Sequence, residues 1–149
     1  MNEDEKWMNL ALKQARKAEA EGEVPVGAIL VKEGLLIAQA HNQPITTNDA
    51  TAHAEIQLIR AAGKKLKNYR LNGASLYVTL EPCAMCLGAI MHARIKRIVF
   101  AAHDSKIGVF GSSENLIDTT CFKHKIDLIS GVLEVESSRL LKKFFISRR

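Results

Sequence analysis

The stretch Leu76–Ala93, LYVTLEPCAMCLGAIMHA, places two cysteines three residues apart directly after an apolar run typical of a strand. Pro82 precedes the pair, and proline favours the first position of a helix, where its missing N–H group would have no partner. Residues three apart lie on one face of a helix. Cys83 and Cys86 can therefore both point at one ion at the start of this helix, whose positive end also favours thiolates.

Two thiolates do not complete a tetrahedral zinc site. The other cysteine of the sequence, Cys121, has no neighbouring cysteine, and we predict a small buried or half-buried residue there. Among the five histidines, His53 in the segment Thr51–Glu55, TAHAE, is the best candidate for a third ligand. Three protein ligands leave one position open, which is typical of a catalytic zinc rather than a structural one.

The spacing of His53 and Glu55 restricts where they can lie. Separated by one residue, they would point to nearly opposite faces in mid-helix, so we predict that Thr51 caps a helix whose first turn holds both. His53 then binds the ion, and Glu55 reaches a water on it without being a ligand. Zinc lowers the pKa of bound water to roughly 7, and Glu55 would accept the proton and return it to the substrate. The predicted reaction is hydrolytic attack on an electron-poor sp² carbon with loss of an amine.

Each of these residues also has an ordinary interpretation. A lone C-x-x-C pair is redox-active or structural in many proteins, and an isolated histidine usually bonds to backbone. A glutamate in the first turn of a helix is favoured by the helix dipole alone. The joint pattern, H-A-E at one helix start and E-P-C-x-x-C after a strand, favours the metal site. We assign no chemistry to the other histidines, which are His41, His92, His103 and His124.

The periodicity of the chain predicts an α/β fold, a three-layer α/β/α sandwich in which a mixed five-stranded sheet carries helices on both faces. The predicted elements are a helix over 3–21, a hairpin of strands 24–31 and 35–40, a loop over 41–49, a helix from 51 to about 62 ended by Gly63, a strand over 75–80, the cysteine helix over 82–93, a strand over 97–102, a helical turn over 114–117, an edge strand over 125–129 and a last helix over 135–147. The segment 75–102 forms a crossover with parallel strands. The inward residues of the last helix are Leu140, Leu141, Phe144 and Phe145.

Length, composition and charge narrow the classes of function. We predict one domain, residues 1–149, and no membrane partner, because no apolar run is long enough to span a bilayer. Three cysteines, two of them at metal-binding spacing, argue against a disulfide framework and favour a reducing cytoplasm. The net charge is +5, and residues 123–149 hold seven bases against three acids. This basic end suggests a phosphate-bearing partner, although a solvated basic face is the commoner explanation.

At these residues the chain resembles the zinc-dependent nucleoside and nucleobase deaminases, whose signature is H-x-E…P-C-x-x-C. Within that group it is similar to the bacterial tRNA-specific adenosine deaminases over nearly its whole length. The stretches that carry this resemblance are EVPVGAILV (23–31), AHNQP (40–44), TAHAE (51–55), NYRLNGASLYVTLEPCAMCLGAIMHARIKRIVFAA (68–102) and LLKKFF (140–145). The combination of LYVTLEPCAMC with GAIMHARI is the most specific of them.

The resemblance implies a cytidine deaminase-like fold and conversion of adenosine to inosine at position 34, the wobble position, of a tRNA anticodon stem-loop. It also implies one Zn²⁺ per subunit, hydroxide on that zinc attacking C6, and a homodimer in which the segment 87–94 is a plausible interface helix. By position, the zinc ligands would be His53, Cys83 and Cys86, and the proton shuttle would be Glu55. The implied substrate-binding and RNA-binding residues are Asn42, which would bond to the flipped-out nucleoside, Ala54, whose N–H group would help read the base, Asp104, Ser105, Lys106, Arg148 and Arg149.

Two departures from the family pattern concern the nucleotides next to the reacting base. Lys123 stands where the family usually has asparagine, and the segment from Ile107 to Phe110 is bulkier and less polar than usual. Neither departure involves the predicted zinc ligands.

Three other functions remain open. A deaminase of free guanine or cytosine would turn over the small molecule without RNA. A non-catalytic, nucleic-acid-binding zinc module would be indifferent to Glu55→Ala, but its structural zinc would need four protein ligands. A deaminase of pyrimidine salvage or of the riboflavin pathway is the third, and the short chain disfavours the riboflavin enzyme.

Overall fold

The described part of the chain, residues 1–117 and 125–148 of a computed structural model, builds one sheet with helices packed against it. Its elements are α1 (Glu3–Ala20), β1 (Gly27–Lys32), β2 (Leu35–His41), α2 (Pro44–Thr47), α3 (Ala54–Leu66), β3 (Ser75–Leu80), α4 (Ala84–His92), β4 (Arg97–Ala102), β5 (Asp127–Ser130) and α5 (Glu134–Ser147). None of the described helices combines the length and apolarity needed to cross a membrane.

The sheet has the order β2-β1-β3-β4-β5 and is mixed, as predicted. β1 pairs antiparallel with β2, because Glu33 and Gly34 turn the chain tightly with φ of 53° and 74°. β1 also pairs antiparallel with β3 on its other side. β3, β4 and β5 run parallel, with α4 as the crossover between β3 and β4. The predicted hairpin and the predicted crossover are both confirmed.

Successive side chains of a strand point to opposite faces of the sheet, and they form two hydrophobic cores, one on each face. On one face, Trp7 and Met8 of α1 pack with Ile29, Tyr77 and Val99. On the opposite face, α3 and α4 pack on the strands through a group that includes Leu58, Leu87, Ile90, Leu30, Leu76 and Ile98. The predicted three-layer sandwich is therefore confirmed.

Gly27 lies where α1 crosses β1, and the helix backbone fills the space that a side chain would need. A Cβ atom there would be 2.1 Å from the Ala11 carbonyl oxygen and 2.4 Å from the Ala15 nitrogen. We therefore expect Gly27→Ala to lower the free energy of unfolding by about 1–3 kcal/mol or more, because helix backbone cannot move aside as a side chain can.

Urea denaturation measures this effect, and Gly63→Ala is the matched control. Gly63 lies inside α3, and its added Cβ would meet only the Asn68 oxygen at 3.5 Å, so the helix should gain about 0.5–1 kcal/mol there. If Gly27→Ala unfolded at the same urea concentration as the wild type, the close packing of α1 on β1 would be refuted.

The predicted Thr51 cap is wrong, and so is the predicted end of that helix. α3 begins at Ala54 with His53 as its N-cap, because the Asp49 carboxylate accepts hydrogen bonds from both the amide and the hydroxyl of Thr51. The helix also continues through Gly63 to Leu66, and the turn that ends it is at Lys67, with φ of 53°. Glycine in mid-helix is tolerated at modest cost, so it is a weak stop signal.

The cysteine helix starts later than predicted. Cys83 is the N-cap of α4, with an extended backbone, and Pro82 lies before the helix rather than in its first position. The predicted loop after β2 contains the one-turn helix α2. The segment 114–117 is not helical, because Asn115 instead forms an isolated bridge with Phe110.

α5 contacts the sheet through a narrower stripe than predicted. Leu141 and Phe144 are buried, but Leu140 is only half-buried and Phe145 is 53% exposed. Ser137 completes the buried stripe and donates a hydrogen bond to the Thr79 carbonyl of β3.

The predictions for Cys121, Lys123, His124 and Arg149 concern positions outside the described residues.

Candidate active site

The N-terminal ends of α3 and α4 meet, and three potential metal ligands lie between them. His53 and Cys83 are the two N-caps, and Cys86 is in the first turn of α4. The His53 Nδ1 atom is 3.6 Å from the sulfur of Cys83 and 3.6 Å from that of Cys86. All three donor atoms lie within 4.8 Å of one another. The two helix ends also point their positive poles at this site.

These spacings fit a tetrahedral zinc ion. Bonds of about 2.3 Å to sulfur and about 2.05 Å to nitrogen, at the tetrahedral angle, separate the two ligand atoms by about 3.6 Å. Both nitrogen–sulfur distances in the structure have that value. One imidazole and two thiols are also a donor set that zinc prefers, and they leave a fourth position for water or substrate.

The same contacts favour the thiolate form of Cys83. The hydrogen bond from the Cys86 thiol lowers the pKa of Cys83 to about 4, with help from His53. The interaction with Cys83 in turn raises the pKa of His53. The pKa of Cys86 is raised, first because its thiol donates to Cys83 and second because it is buried. A metal cation, which needs thiolate ligands, would displace the remaining thiol proton.

Glu55 lies beside the three donor atoms in the first turn of α3. Its side chain is buried, with the residue 4% exposed. Burial raises the pKa of Glu55 to about 7. A carboxyl group in such a setting is suited to taking up and releasing a proton near neutral pH.

A cavity of about 710 Å³ opens onto these groups, with His53, Glu55 and Cys83 in its wall. This volume lies in the range of small-molecule and cofactor sites. The rest of the wall combines apolar side chains with polar ones from the loop after β4 and from α5: Val24, Val26, Asn42, Leu80, Glu81, Ala102, His103, Asp104, Ser105, Lys106, Ile107, Ser138, Leu141, Lys142 and Phe145.

Asn42 and Ala54, both predicted to contact the nucleoside, are bonded to each other. The Ala54 N–H group donates to the Asn42 Oδ1 atom at 2.8 Å, and Ala54 is fully buried. The Ala54 N–H group is therefore already paired in this structure, and the prediction that it helps to read the base stays a prediction. Asn42 does reach the cavity, and its Nδ2 group has no hydrogen-bond partner among the described residues.

The other predicted RNA contacts fall in two places. Asp104, Ser105 and Lys106 all line the cavity, on the loop that follows β4. Arg148 lies at the end of α5, where its guanidinium group stacks over the Phe144 ring at 4.6 Å, away from the cavity wall. Arg149 lies outside the described residues.

Glu81 has a role in the site that was not predicted from the sequence. This buried carboxylate accepts hydrogen bonds from three backbone N–H groups of the loop after β4. Burial alone would raise the pKa of Glu81, but hydrogen bonding, first from the Ser112 side chain and then from the three backbone N–H groups, holds that pKa below its usual range. The only hint in the sequence is an acid at the end of an apolar strand, directly before Pro82. The cavity-lining roles of Lys142 and Phe145 were also missed.

Comparisons with known proteins agree with this geometry. A family model described as the cytidine and deoxycytidylate deaminase zinc-binding region matches residues 1–102. The tRNA-specific adenosine deaminase of Bacillus subtilis is 48% identical over 145 residues, which cover 97% of this chain and 90% of that protein.

Two solved structures resemble this chain to different degrees. A structure from work on A-to-I editing by tRNA:A34 deaminases superimposes with a TM-score of 0.89 and 46% identity, and the match covers 91% of this chain and 99% of the other. A guanine deaminase from Nitrosomonas europaea superimposes with a TM-score of 0.81 at 26% identity, over 94% of this chain and 83% of the other. The greater similarity is to the protein that acts on tRNA.

Proposed function

Because this chain belongs to the zinc-binding cytidine and deoxycytidylate deaminase family, we propose that it converts adenosine to inosine at position 34, the wobble position, of a tRNA anticodon. One observation carries the choice of substrate. The identity to tRNA-specific adenosine deaminases extends over nearly the whole of both chains, and so includes the loop and the basic helix that border the cavity.

His53, Cys83 and Cys86 would hold the zinc ion, which supplies a Lewis acid that lowers the pKa of a water molecule. Glu55 accepts a proton from the attacking water and delivers it to the departing amine. The water oxygen forms a bond to C6 of adenine, the C6–N bond breaks, and ammonia leaves. The carboxylate of Glu55 is unchanged at the end of the cycle.

Asn42 has the free group that orients the nucleoside in this mechanism. Its Oδ1 atom is held by the Ala54 N–H group, which fixes the amide so that Nδ2 is presented to the cavity. A fixed donor loses little conformational entropy when it binds a ribose or base oxygen or nitrogen. The Ala54 N–H group fixes the Asn42 amide in this arrangement.

An unpaired base in an anticodon loop suits this cavity. Enzymes that react with a base must take it out of the stack, and this costs least where the base is already unpaired. Lys106 and Lys142 lie in the cavity wall, where they can meet the flanking phosphates. Outside the cavity, a groove of about 860 Å³ along α5 is lined by three bases, Arg139, Lys142 and Lys143, and by one acid, Glu134, together with uncharged side chains. Positive charge therefore extends from the cavity along α5, as a phosphate backbone requires.

The basic end of the chain should position the stem of the RNA. We expect neutralisation of Lys142, Lys143, Arg148 and Arg149 together to weaken stem-loop binding. The slope of log K against log salt should fall by about 0.7–0.9 for each phosphate that the protein no longer neutralises. Filter binding at several salt concentrations measures both quantities. A matched control neutralises the exposed bases Lys13, Arg16, Lys17 and Lys64, which lie on α1 and α3. Unchanged activity on full-length tRNA after removal of the first four charges would contradict this role.

One experiment separates the candidate functions. Purified protein is incubated separately with an unmodified A34 anticodon stem-loop, adenosine, guanine and cytosine, and ammonia and inosine are assayed. We expect ammonia and inosine from the stem-loop alone. Turnover of guanine or cytosine without RNA would indicate a free-base deaminase, which the likeness to a guanine deaminase makes the second candidate. RNA binding without turnover of any substrate would indicate the non-catalytic zinc module.

A homodimer and a cytoplasmic location also belong to this proposal. Within the suggested interface segment 87–94, Leu87, Ile90 and Met91 are buried inside the chain itself. His92 and Arg94 are exposed, and Met85 just before the segment is exposed as well. A second copy would therefore meet this outer side of α4. The reducing cytoplasm suits a site that needs free thiolates.

A further inference from the structure

Glu81 lies between the cysteine turn and the loop 103–113, which follows β4 and forms one side of the cavity. Its backbone N–H group donates to the Ala102 carbonyl at the end of β4, and Cys83 is two residues further along the chain. The Glu81 side chain is completely buried. It is therefore a charge enclosed between the predicted metal ligands and the substrate side of the site.

Loop 103–113 supplies three backbone hydrogen bonds to the carboxylate. Its Oε1 atom accepts the Asp104 N–H group at 3.0 Å, and its Oε2 atom accepts those of Phe110 at 2.9 Å and Ser112 at 3.2 Å. The His103 ring adds a contact at 3.6 Å from Oε1. Hydrogen bonds to a charged acceptor are roughly twice as strong as neutral ones. One side chain thus holds both ends of loop 103–113.

Asp104 transmits this anchoring to the loop tip. Its own carboxylate accepts the N–H groups of Lys106 at 3.0 Å and Ile107 at 3.2 Å, and its carbonyl accepts that of Gly108 at 3.0 Å. The tip formed in this way, Ser105 to Ile107, lines the cavity. The position of that wall therefore depends on the bond between Asp104 and Glu81.

Gly108 shows how closely the loop is packed on the carboxylate. A Cβ atom at Gly108 would lie 2.5 Å from the Glu81 Cδ atom and 2.5 Å from the Asp104 carbonyl oxygen. The loop backbone can approach the carboxylate only because this residue has no side chain.

We propose that Glu81 is a positioning residue that sets the cavity wall 104–107 against the cysteine turn and so determines how well the enzyme binds its RNA substrate. The inference about substrate rests on the proposed function. The inference about the loop does not, because the hydrogen bonds exist without any ligand.

Glu81→Gln tests the proposal with almost no change of shape. The amide replaces one oxygen with an NH₂ group, which cannot accept from a backbone N–H group. With the NH₂ group at the position of Oε1, only the Asp104 N–H group loses its acceptor. With the NH₂ group at the position of Oε2, both the Phe110 and the Ser112 N–H groups would lose theirs, so the first orientation costs less. We therefore expect the Asp104 amide to lose protection from hydrogen exchange, while the Phe110 and Ser112 amides keep theirs. A general loosening of the structure would not produce this asymmetry.

Kinetics with the A34 stem-loop provide the second measurement. We expect KM to rise about tenfold with kcat changed less than about threefold, since the loop contacts substrate and not the reacting atoms. Zinc content should stay at that of the wild type. Gly108→Ala, which pushes the carboxylate and the loop apart without changing charge, should also raise KM. Glu114→Gln removes an exposed carboxylate next to the same loop and should change nothing.

Two results would overturn the proposal: wild-type exchange at Asp104 in Glu81→Gln, or loss of zinc with KM unchanged, which would mean that Glu81 acts on the cysteine turn instead. If Glu81→Gln fails to fold, the exchange and KM of Gly108→Ala decide the question. If the wild type does not deaminate the stem-loop, the proposed function fails, but the exchange measurement still tests the role of Glu81 in the loop.

Discussion

Replacing Glu55 with glutamine should lower kcat on the A34 stem-loop by about 10²–10⁴-fold, the usual contribution of a positioned general acid–base group. The glutamine side chain has nearly the same shape but cannot accept and return a proton. Glu55 is buried next to Cys86, one of the predicted metal ligands, and its side chain lines the cavity. KM should change little, because the substitution acts on proton transfer rather than on RNA contacts.

Single-turnover kinetics under saturating enzyme isolate this step. Zinc content and thermal stability should match those of the wild type, since the amide is neutral and burying it costs less than burying a carboxylate. Glu3→Gln is a suitable control, because Glu3 is also a first-turn glutamate of a helix, but an exposed one. Activity within threefold of the wild type for Glu55→Gln would exclude the proposed proton shuttle.

Replacing Cys86 with alanine should remove both the metal and the activity. Removal of a partner that only supports a metal ligand already costs 10–100-fold in affinity, so removal of a ligand itself should cost more than about 100-fold. We expect metal analysis to show one zinc per wild-type chain and much less than one in Cys86→Ala, with deamination at background level.

The matched control is Cys121→Ala, which removes the cysteine that has no predicted ligand role and should keep its zinc. Chelation followed by added zinc should restore the wild type but not Cys86→Ala. Full zinc occupancy in Cys86→Ala, or an active wild type without a bound transition metal, would refute the site built from His53, Cys83 and Cys86.

Elements whose sequence signal is local were predicted best. β3 and β4 match their predicted limits residue for residue, because each is a nearly continuous apolar run. The start of α3 was predicted wrongly because the predicted cap, Thr51, is bonded elsewhere. The Asp49 side chain takes the hydroxyl and amide of Thr51, which leaves His53 as the N-cap. The pairing of Asp49 with Thr51 is a side-chain contact that the hydrophobic periodicity of the helix does not reveal.

In the candidate site, too, residues in short motifs were predicted, whereas contacts between distant segments were not. His53, Cys83 and Cys86 belong to short motifs whose chemistry is recognisable without coordinates, and the structure brings their donor atoms together. The bond between Asn42 and the Ala54 amide joins segments twelve residues apart, and the contacts of Glu81 reach 23 to 31 residues along the chain. Such pairings depend on how the loops fold back on the sheet, which no periodicity encodes.

The zinc-binding region that defines the family ends at Ala102, but the cavity does not end there. Its remaining walls come from the loop tip at Asp104–Ile107 and from Leu141, Lys142 and Phe145 on α5. The catalytic centre therefore lies wholly within the family region, whereas the substrate cavity is shared between that region, which contributes Asn42, and the segments that follow it. A substitution after residue 102 can consequently alter which substrate fits without touching any predicted metal ligand.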